Sequence, residues 1–448
     1  MIIDQPMFPR HQDIDLSQFD ADVPSPIARY GLPQKVQFCH RCVISNQRPG
    51  AASSEFSLSA DSAKQAIHFD GHGICDACRV WEDKHNNIDW DERERELRDL
   101  CDRHRRTDGR YDCIVPGSGG KDSFVQAHVL KYKYDMHPLT ITWTPQIYTD
   151  WGWRNFQSWI HAGFDNHLIT PSGRTNRLLT RLATESMLHP FQPFVFGQKT
   201  LPARFSIDHD IPLIFHGDHA AEYGTPKKGA EDSTIKVEHY VAPSKLNDLL
   251  IGGVTYQQLL TDFDLNANDL SIYIPPNLDE AQSKNIEFHH LAYFLKWHPQ
   301  ANYYYAVEHG GFEPSRERIP GTYQKYSGID DKVDDFNFYC YFIKFGIGRA
   351  THDAASEIRA RDIDREEGVS LVRRYDGEFP NRFMDDFFQY ISLPEKEFPI
   401  ASAAFEQPVM DRAYFDNLCD RFRSPHIWKR QNDAWTLRNT VYADQGQG

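Results

Sequence analysis

The sequence predicts an α/β fold. Its core is a parallel sheet with helices on both faces, preceded by an N-terminal zinc-knuckle module and followed by a mainly helical C-terminal region. Three observations carry this prediction: from Gly109 the pattern runs strand, loop, helix, strand; two Cys-x-x-Cys pairs stand upstream of it; and beyond Asp330 apolar residues recur at helical spacing.

The 448 residues are enough for two or three structural units around large cores. Forty per cent hydrophobic and 13% aromatic residues are globular values. No stretch approaches twenty consecutive apolar residues, and "MIIDQPMFPRHQDID" has neither a basic start nor an apolar segment of signal-peptide length, which predicts a soluble, cytoplasmic protein with no membrane partner. A net charge of −15 disfavours nucleic acid, because affinity for a phosphate backbone comes from clustered Lys and Arg.

In chain order, residues 1–35, with Pro6, Pro9, Pro24, Pro26 and Pro33, read as an arm without a fold of its own. Residues 36–106 hold the cysteine pairs Cys39/Cys42 and Cys75/Cys78, separated by 32 residues. Each pair presents two thiolates on one turn, and four thiolates close a tetrahedral Zn²⁺ site with a structural role; unligated thiols and an iron–sulfur cluster stay open as the alternatives. The other cysteines, Cys101, Cys113, Cys340 and Cys419, are scattered. "WDERERELRDLCDRHRR" predicts a charged linker helix capped by Asp89 or Asp91.

Residues 107–329 carry the sheet. "YDCIVPG", "HPLTITWT", "NHLIT" and "IPLIFHGD" read as strands, "KDSFVQAHVLKYKY" as a helix, and "FHHLAYFL" as a fifth strand beyond a polar insertion near 227–276. Residues 330–448 read as helical. "DREEGVSLVRRYDG" is the clearest case, with Asp364 as N-cap, acids in the first turn, arginines in the last and Gly377 as the stop.

The chemistry gathers at "VPGSGGKDSF", Val115 to Phe124. A strand, a glycine turn and a helix start converge backbone N–H groups and the positive helix end on one point, which makes an anion site. It is not a Walker A loop, since Val115 stands where the first glycine belongs and Asp122 follows Lys121. The order Ser118-Gly119-Gly120-Lys121-Asp122-Ser123 resembles the PP-loop of the ATP pyrophosphatase superfamily, whose fold is adenine nucleotide alpha hydrolase-like. That resemblance implies cleavage of ATP between its α and β phosphates. It implies further that Ser118, Gly119, Gly120 and Ser123 hold the pyrophosphate, that Lys121 adds charge, that Asp122 holds Mg²⁺ or fixes the loop, and that adenine lies at Thr142 and Trp143.

Further stretches, "CHRCVISNQRP", "IPLIFHGDHAAEYG", "GTYQKYSGIDDK" and "KFGIGRATHDAASEIRARDIDREEGVSLVRRYDG", resemble the N-acetyl sugar amidotransferases of surface-polysaccharide and pseudaminic-acid type pathways. The resemblance implies an ATP- and Mg²⁺-dependent enzyme that converts an acetamido group of a lipopolysaccharide-type sugar into an acetamidino group. Asp218 and Glu222 are candidates for Mg²⁺ or substrate contacts, or helix caps. Lys344 and Arg349 bracket a glycine turn that closes over pyrophosphate or flanks a helix. Asp330 and Asp331 bind metal or sugar, or cap. No glutaminase-type nucleophile elbow is present, so the resemblance implies ammonia from a separate glutaminase subunit. The competing functions are a tRNA-thiolating PP-loop enzyme and a zinc-stabilised nucleotide-binding scaffold.

Overall fold

The computed structural model describes residues 13–50, 55–59, 63–224, 232–263, 265–392 and 410–443. Ten strands are assigned among them: β1 Cys113–Pro116, β2 Pro138–Trp143, β3 Asn166–Ile169, β4 Leu213–His216, β5 Thr234–Ile235, β6 Leu250–Ile251, β7 Val254–Thr255, β8 Glu287–His290, β9 Trp428–Gln431 and β10 Ala434–Leu437. Among the described residues the first six α-helices are α1 Asp76–Asn86, α2 Trp90–His104, α3 Lys121–Tyr132, α4 Asp150–His161, α5 Gly173–Met187 and α6 Gln192–His209.

The main sheet has the order β3-β2-β1-β4-β8-β5, parallel except for β5, which pairs antiparallel with β8. Because successive side chains on a strand point to opposite faces, β1 sends Ile114 to one core and Cys113 and Val115 to the other. Ile114 joins Leu139, Ile141 and Ile214 against Leu178 and Leu182 of α5 and Phe194 and Leu201 of α6. Val115 joins Leu213 and Phe215 against Phe124 of α3, Phe156 and Trp159 of α4, and Leu97 of α2. Helices therefore cover both faces, as the near-continuous apolar strands require. Burying each such large side chain contributes about 1.5–3 kcal/mol.

The chain runs outward from β1 through β2 to β3, then returns to place β4 on the other side of β1. That reversal opens a crevice at the carboxyl ends of β1 and β4, where ligands bind in open α/β sheets.

Several sequence expectations are modified here. "FHHLAYFL" is strand only in part: β8 ends at His290, and Leu291–Phe294 is a helical turn. The stretches 232–263 and 265–276 do more than interrupt, because Tyr240, Leu249, Leu259, Phe263 and Tyr273 are buried in the sheet core and β5 extends the sheet; the insertion's residues 227–231 and 264 lie outside the described residues. The C-terminal region contains helices Asp334–Phe345, Arg349–Ala360, Arg365–Tyr375, Met384–Ile391 and Arg412–Phe422, but ends in the β9–β10 hairpin. Its two turn residues, Asn432 and Asp433, have φ of 51° and 59°, the left-handed pair that a tight hairpin turn needs.

The arm also has a seat. Phe19 is fully buried with its ring edge-on to Trp435 at 4.8 Å, and the Arg438 guanidinium donates to the carbonyls of Asp20 and Ala21 at 2.7 and 3.1 Å. Among the described residues no helix is long and apolar enough to cross a membrane.

Candidate functional site

The four predicted cysteines converge. Their Sγ atoms all lie within 4.8 Å of one another, with Cys39–Cys78 at 3.9 Å and Cys42–Cys75 at 3.8 Å. A tetrahedron with Zn–S arms of about 2.3 Å has edges of about 3.8 Å, so the quartet fits a single zinc ion. All four are free and buried, and no histidine belongs to the group. Hydrogen bonds shared within the quartet push the Cys39 thiol below its ordinary range and the Cys75 and Cys78 thiols above theirs. The Arg359 guanidinium lies 3.9 Å from Cys42 Sγ, where it offsets thiolate charge. The quartet's core is continuous with Ile347, Ala354 and Val369 of the C-terminal region.

The glycine loop occupies the predicted crevice. Gly117 N–H donates to the Ile141 carbonyl at 2.9 Å, tying the loop start to β2. Gly119 has φ +84°, and a Cβ there would stand 2.6 Å from Phe156 Cα, so only glycine lets the loop lie this close to α4. Gly120 is the N-cap of α3 and supplies no side-chain cap, leaving the first N–H groups of the helix for a ligand. Ser123 Oγ donates back to the Gly120 carbonyl at 3.0 Å.

A cavity of about 310 Å³ opens over the loop, lined by Ser118, Gly120, Lys121, Ser123, Asp218 and Asp330 among others. His216, at the end of β4, also lines it, and its Nε2 is buried without a hydrogen-bond partner. Burial pushes the His216 pKa down to about 4, so the ring stays neutral. A second cavity, of about 650 Å³, adjoins the first and shares Lys121, Asp122, Asp218 and Ser327 with it. At that shared wall Lys121 Nζ is 2.5 Å from Asp122 Oδ2, and Asn302 donates to Asp122 Oδ1 at 3.1 Å. Asp218 is exposed to the cavity, and its enclosure within the crevice, followed by the charge of Asp122, raises it above the usual carboxylate range. Asp122 and Asp218 thus put two carboxylates on the wall that the cavities share, next to Lys121.

The remaining candidates fall elsewhere. Glu222 Oε1 accepts from Lys84 Nζ at 2.7 Å in a fully buried pair, with Lys84 also donating to the Trp297 carbonyl at 2.6 Å. Burial raises the Glu222 pKa to about 7. The pair locks α1 of the metal module onto the turn after β4. Lys344 lines the larger cavity and donates to the Met187 carbonyl at 2.8 Å. Arg349 lines neither cavity: buried, it donates to the Ser327 and Gly328 carbonyls and faces Asp334 and Asp335 at 3.9 and 3.6 Å. It anchors the segment that carries Asp330. Asp331 receives the backbone N–H groups of Gln146, Ile147 and Val333 and so ties the turn before helix Asp334–Phe345 to the segment after β2. Thr142 Oγ1 accepts from Asn166, and the Trp143 ring is buried where a Cβ on Gly197 would meet it at 2.1 Å. Any adenine contact at this strand end would therefore come from backbone and not from the Trp143 face.

Sequence reasoning did not single out Lys84, Asn302, His216 or Arg48; only His216, at a strand end, carried a local signal. Cys340 and Cys419, distant in sequence, meet in the C-terminal core, where burial and the Cys340 hydrogen bond hold the Cys419 thiol well above its ordinary range. No cysteine lines either cavity.

Residues 320–442 match the family described as "LPS biosynthesis protein WbpG-like, C-terminal domain". An uncharacterized protein of Methanocaldococcus jannaschii is 30% identical over 84 residues, which cover 19% of this chain and 30% of that protein. The chain thus spans under a third of that relative's length. The C-terminal part of the chain is thus similar to a domain of lipopolysaccharide-biosynthesis proteins, and the match does not extend over the sheet or the four-cysteine cluster.

Proposed function

We propose that the protein is a PP-loop ATP pyrophosphatase-type amidotransferase that converts the acetamido group of a surface-polysaccharide sugar into an acetamidino group. The observation that carries this reading is the junction of the two cavities at Lys121, Asp122 and Asp218, on a glycine loop at the sheet's reversal point. The smaller cavity suits a triphosphate over free helix N–H groups, and the larger leaves room for an acceptor beside it.

An amide oxygen is a poor leaving group until it is phosphorylated. The acetamido carbonyl oxygen attacks the α phosphorus, the bond from that phosphorus to the bridging oxygen breaks, and pyrophosphate leaves. Ammonia adds to the activated carbon, the carbon–oxygen bond breaks with AMP as the leaving group, and loss of a proton leaves the amidine. Mg²⁺ at Asp122 and Asp218 would offset phosphate charge. The chain's own contribution is placement: Gly119 lets the loop approach, Lys121 adds charge at the wall between the cavities, and Asn302 orients Asp122. The domain limits 107–329 and 330–448 follow this division of labour. Ammonia would come from a separate glutaminase subunit, and neither nucleic acid nor membrane is required.

The thiolating alternative loses support from the absence of any cysteine at either cavity. The test is mass spectrometry of N-acetylated sugars incubated with protein, ATP, Mg²⁺ and ammonium. A product about one mass unit lighter, the difference between oxygen and NH, is expected. AMP formation with every sugar unchanged would overturn the assignment.

A further inference from the structure

The metal module does more than fold. Arg48 lies six residues past Cys42 and reaches the larger cavity, with its backbone held in place: its N–H donates to the Ser45 carbonyl at 3.2 Å, and its carbonyl accepts from Ile67 N–H at 2.9 Å. Its Nη1 rests where a Cβ on Gly224 would be 2.7 Å away.

Four buried cations elsewhere are compensated. Lys84 has Glu222, Arg349 faces Asp334 and Asp335, Arg181 has Glu185, and Arg359 sits by the thiolates. The Arg48 guanidinium has neither a hydrogen bond nor an ion pair among the described residues. The groups that act on it are Tyr341, Tyr223, Arg359 and Cys75, with no carboxylate among the leading ones, and burial pulls its pKa down. Acids on the cavity wall are turned to other partners: Asp353 accepts from Thr322 Oγ1 at 2.5 Å, and Glu357 from Tyr323 and Gln324 at 2.6 Å each.

A half-buried guanidinium that faces a cavity without a counter-ion favours an anion there, and its planar fork matches carboxylate and phosphate oxygens in pairs. The same cavity is also lined by Lys121, Asp122 and Asp218. A molecule filling it therefore has both Arg48 and the edge of the glycine loop in its wall.

We propose that Arg48, carried by the four-cysteine module, binds an acidic group, carboxylate or phosphate ester, of the acceptor in the larger cavity. Identification of the occupant as the acceptor rests on the function proposed above; the anion site does not. The metal module is then one wall of the acceptor site.

The test is calorimetric titration of the full, zinc-loaded chain with N-acetylglucosamine, its 1-phosphate and its uronic acid. At least one acidic probe should bind at least about tenfold more tightly than the neutral sugar, and which one does so distinguishes phosphate from carboxylate. Arg48→Gln should remove the difference and leave ATP affinity unchanged, while Arg48→Lys, which keeps the charge without the fork, should retain part of it. Circular dichroism and zinc content confirm that both variants are folded. Equal or absent binding of all three probes by the native chain, or discrimination that survives in Arg48→Gln, overturns the proposal. Acid-selective binding through Arg48 without AMP formation from any sugar would refute the adenylylation reading and leave this site standing.

Discussion

The four-cysteine site and the glycine loop are both short motifs with strict spacing, yet they end in opposite states. Every ligand atom of the cysteine site points inward to its fellows, and all four side chains are at most 1% exposed. The loop ends in a cavity of about 310 Å³ with an orphaned His216 Nε2, two repelling carboxylates and uncapped helix N–H groups. A structural site completes its own bonding, whereas a site built for a ligand leaves bonds for the ligand to complete.

The largest expected effect is on the closed site. Structural zinc contributes about 10 kcal/mol or more, comparable with the whole stability of a domain. Cys75→Ser should unfold the metal module and loosen helix Arg349–Ala360, which shares its core. Limited proteolysis and metal analysis check this, and a variant that keeps native thermal stability without metal breaks the comparison.

Next comes the joint between the two regions. Lys84→Met leaves Glu222 buried and unpaired, a loss of about 3–5 kcal/mol, while Lys84→Met with Glu222→Leu should recover most of it. Denaturant titration measures both. A single-variant cost under about 1 kcal/mol would mean that the pair does not hold the module to the β4 turn.

At the open site, Gly119→Ala adds a Cβ at φ +84° against α4. With the function proposed above, turnover should fall by about 10²–10³-fold as the loop is displaced, with far less change in melting temperature than Cys75→Ser produces. Steady-state kinetics beside a thermal melt separate the two quantities.

The smallest effect is on pH dependence. His216 titrates near 4 in the folded chain against 6.5 when exposed. The unfolded chain takes the proton first as pH falls, so this group's contribution is complete above about pH 6.5 and is lost between 6.5 and 4. The contribution is at most about 3 kcal/mol. His216→Phe, which keeps the stacking on Tyr240 and Phe288, should melt with a shallower dependence over that window. An unchanged slope would place the titration elsewhere.

What the sequence made legible was local. β1, the glycine loop and α3 are contiguous, and each Cys-x-x-Cys is one turn, so spacing alone placed them. The Asp89 cap of α2 and the Asp364 cap of helix Arg365–Tyr375 were legible for the same reason. What escaped depends on distance along the chain. The arm's Phe19 finds Trp435, Lys84 finds Glu222, and Arg48 meets a cavity built from segments across the protein. The Asn432-Asp433 hairpin turn was a local signal that a helical expectation for the C-terminal region masked. Trp143 shows the converse: its strand was legible, but only the approach of Gly197 reveals that its ring belongs to the core.

The most direct measurement is of the nucleotide products formed with Mg²⁺, ammonium and an accepted sugar, by the native chain and by Asp122→Asn. The account predicts AMP and pyrophosphate in equal amounts, matched to amidine, and near-complete loss of both in the variant. ADP and phosphate from the native chain, or undiminished AMP from Asp122→Asn, would contradict it.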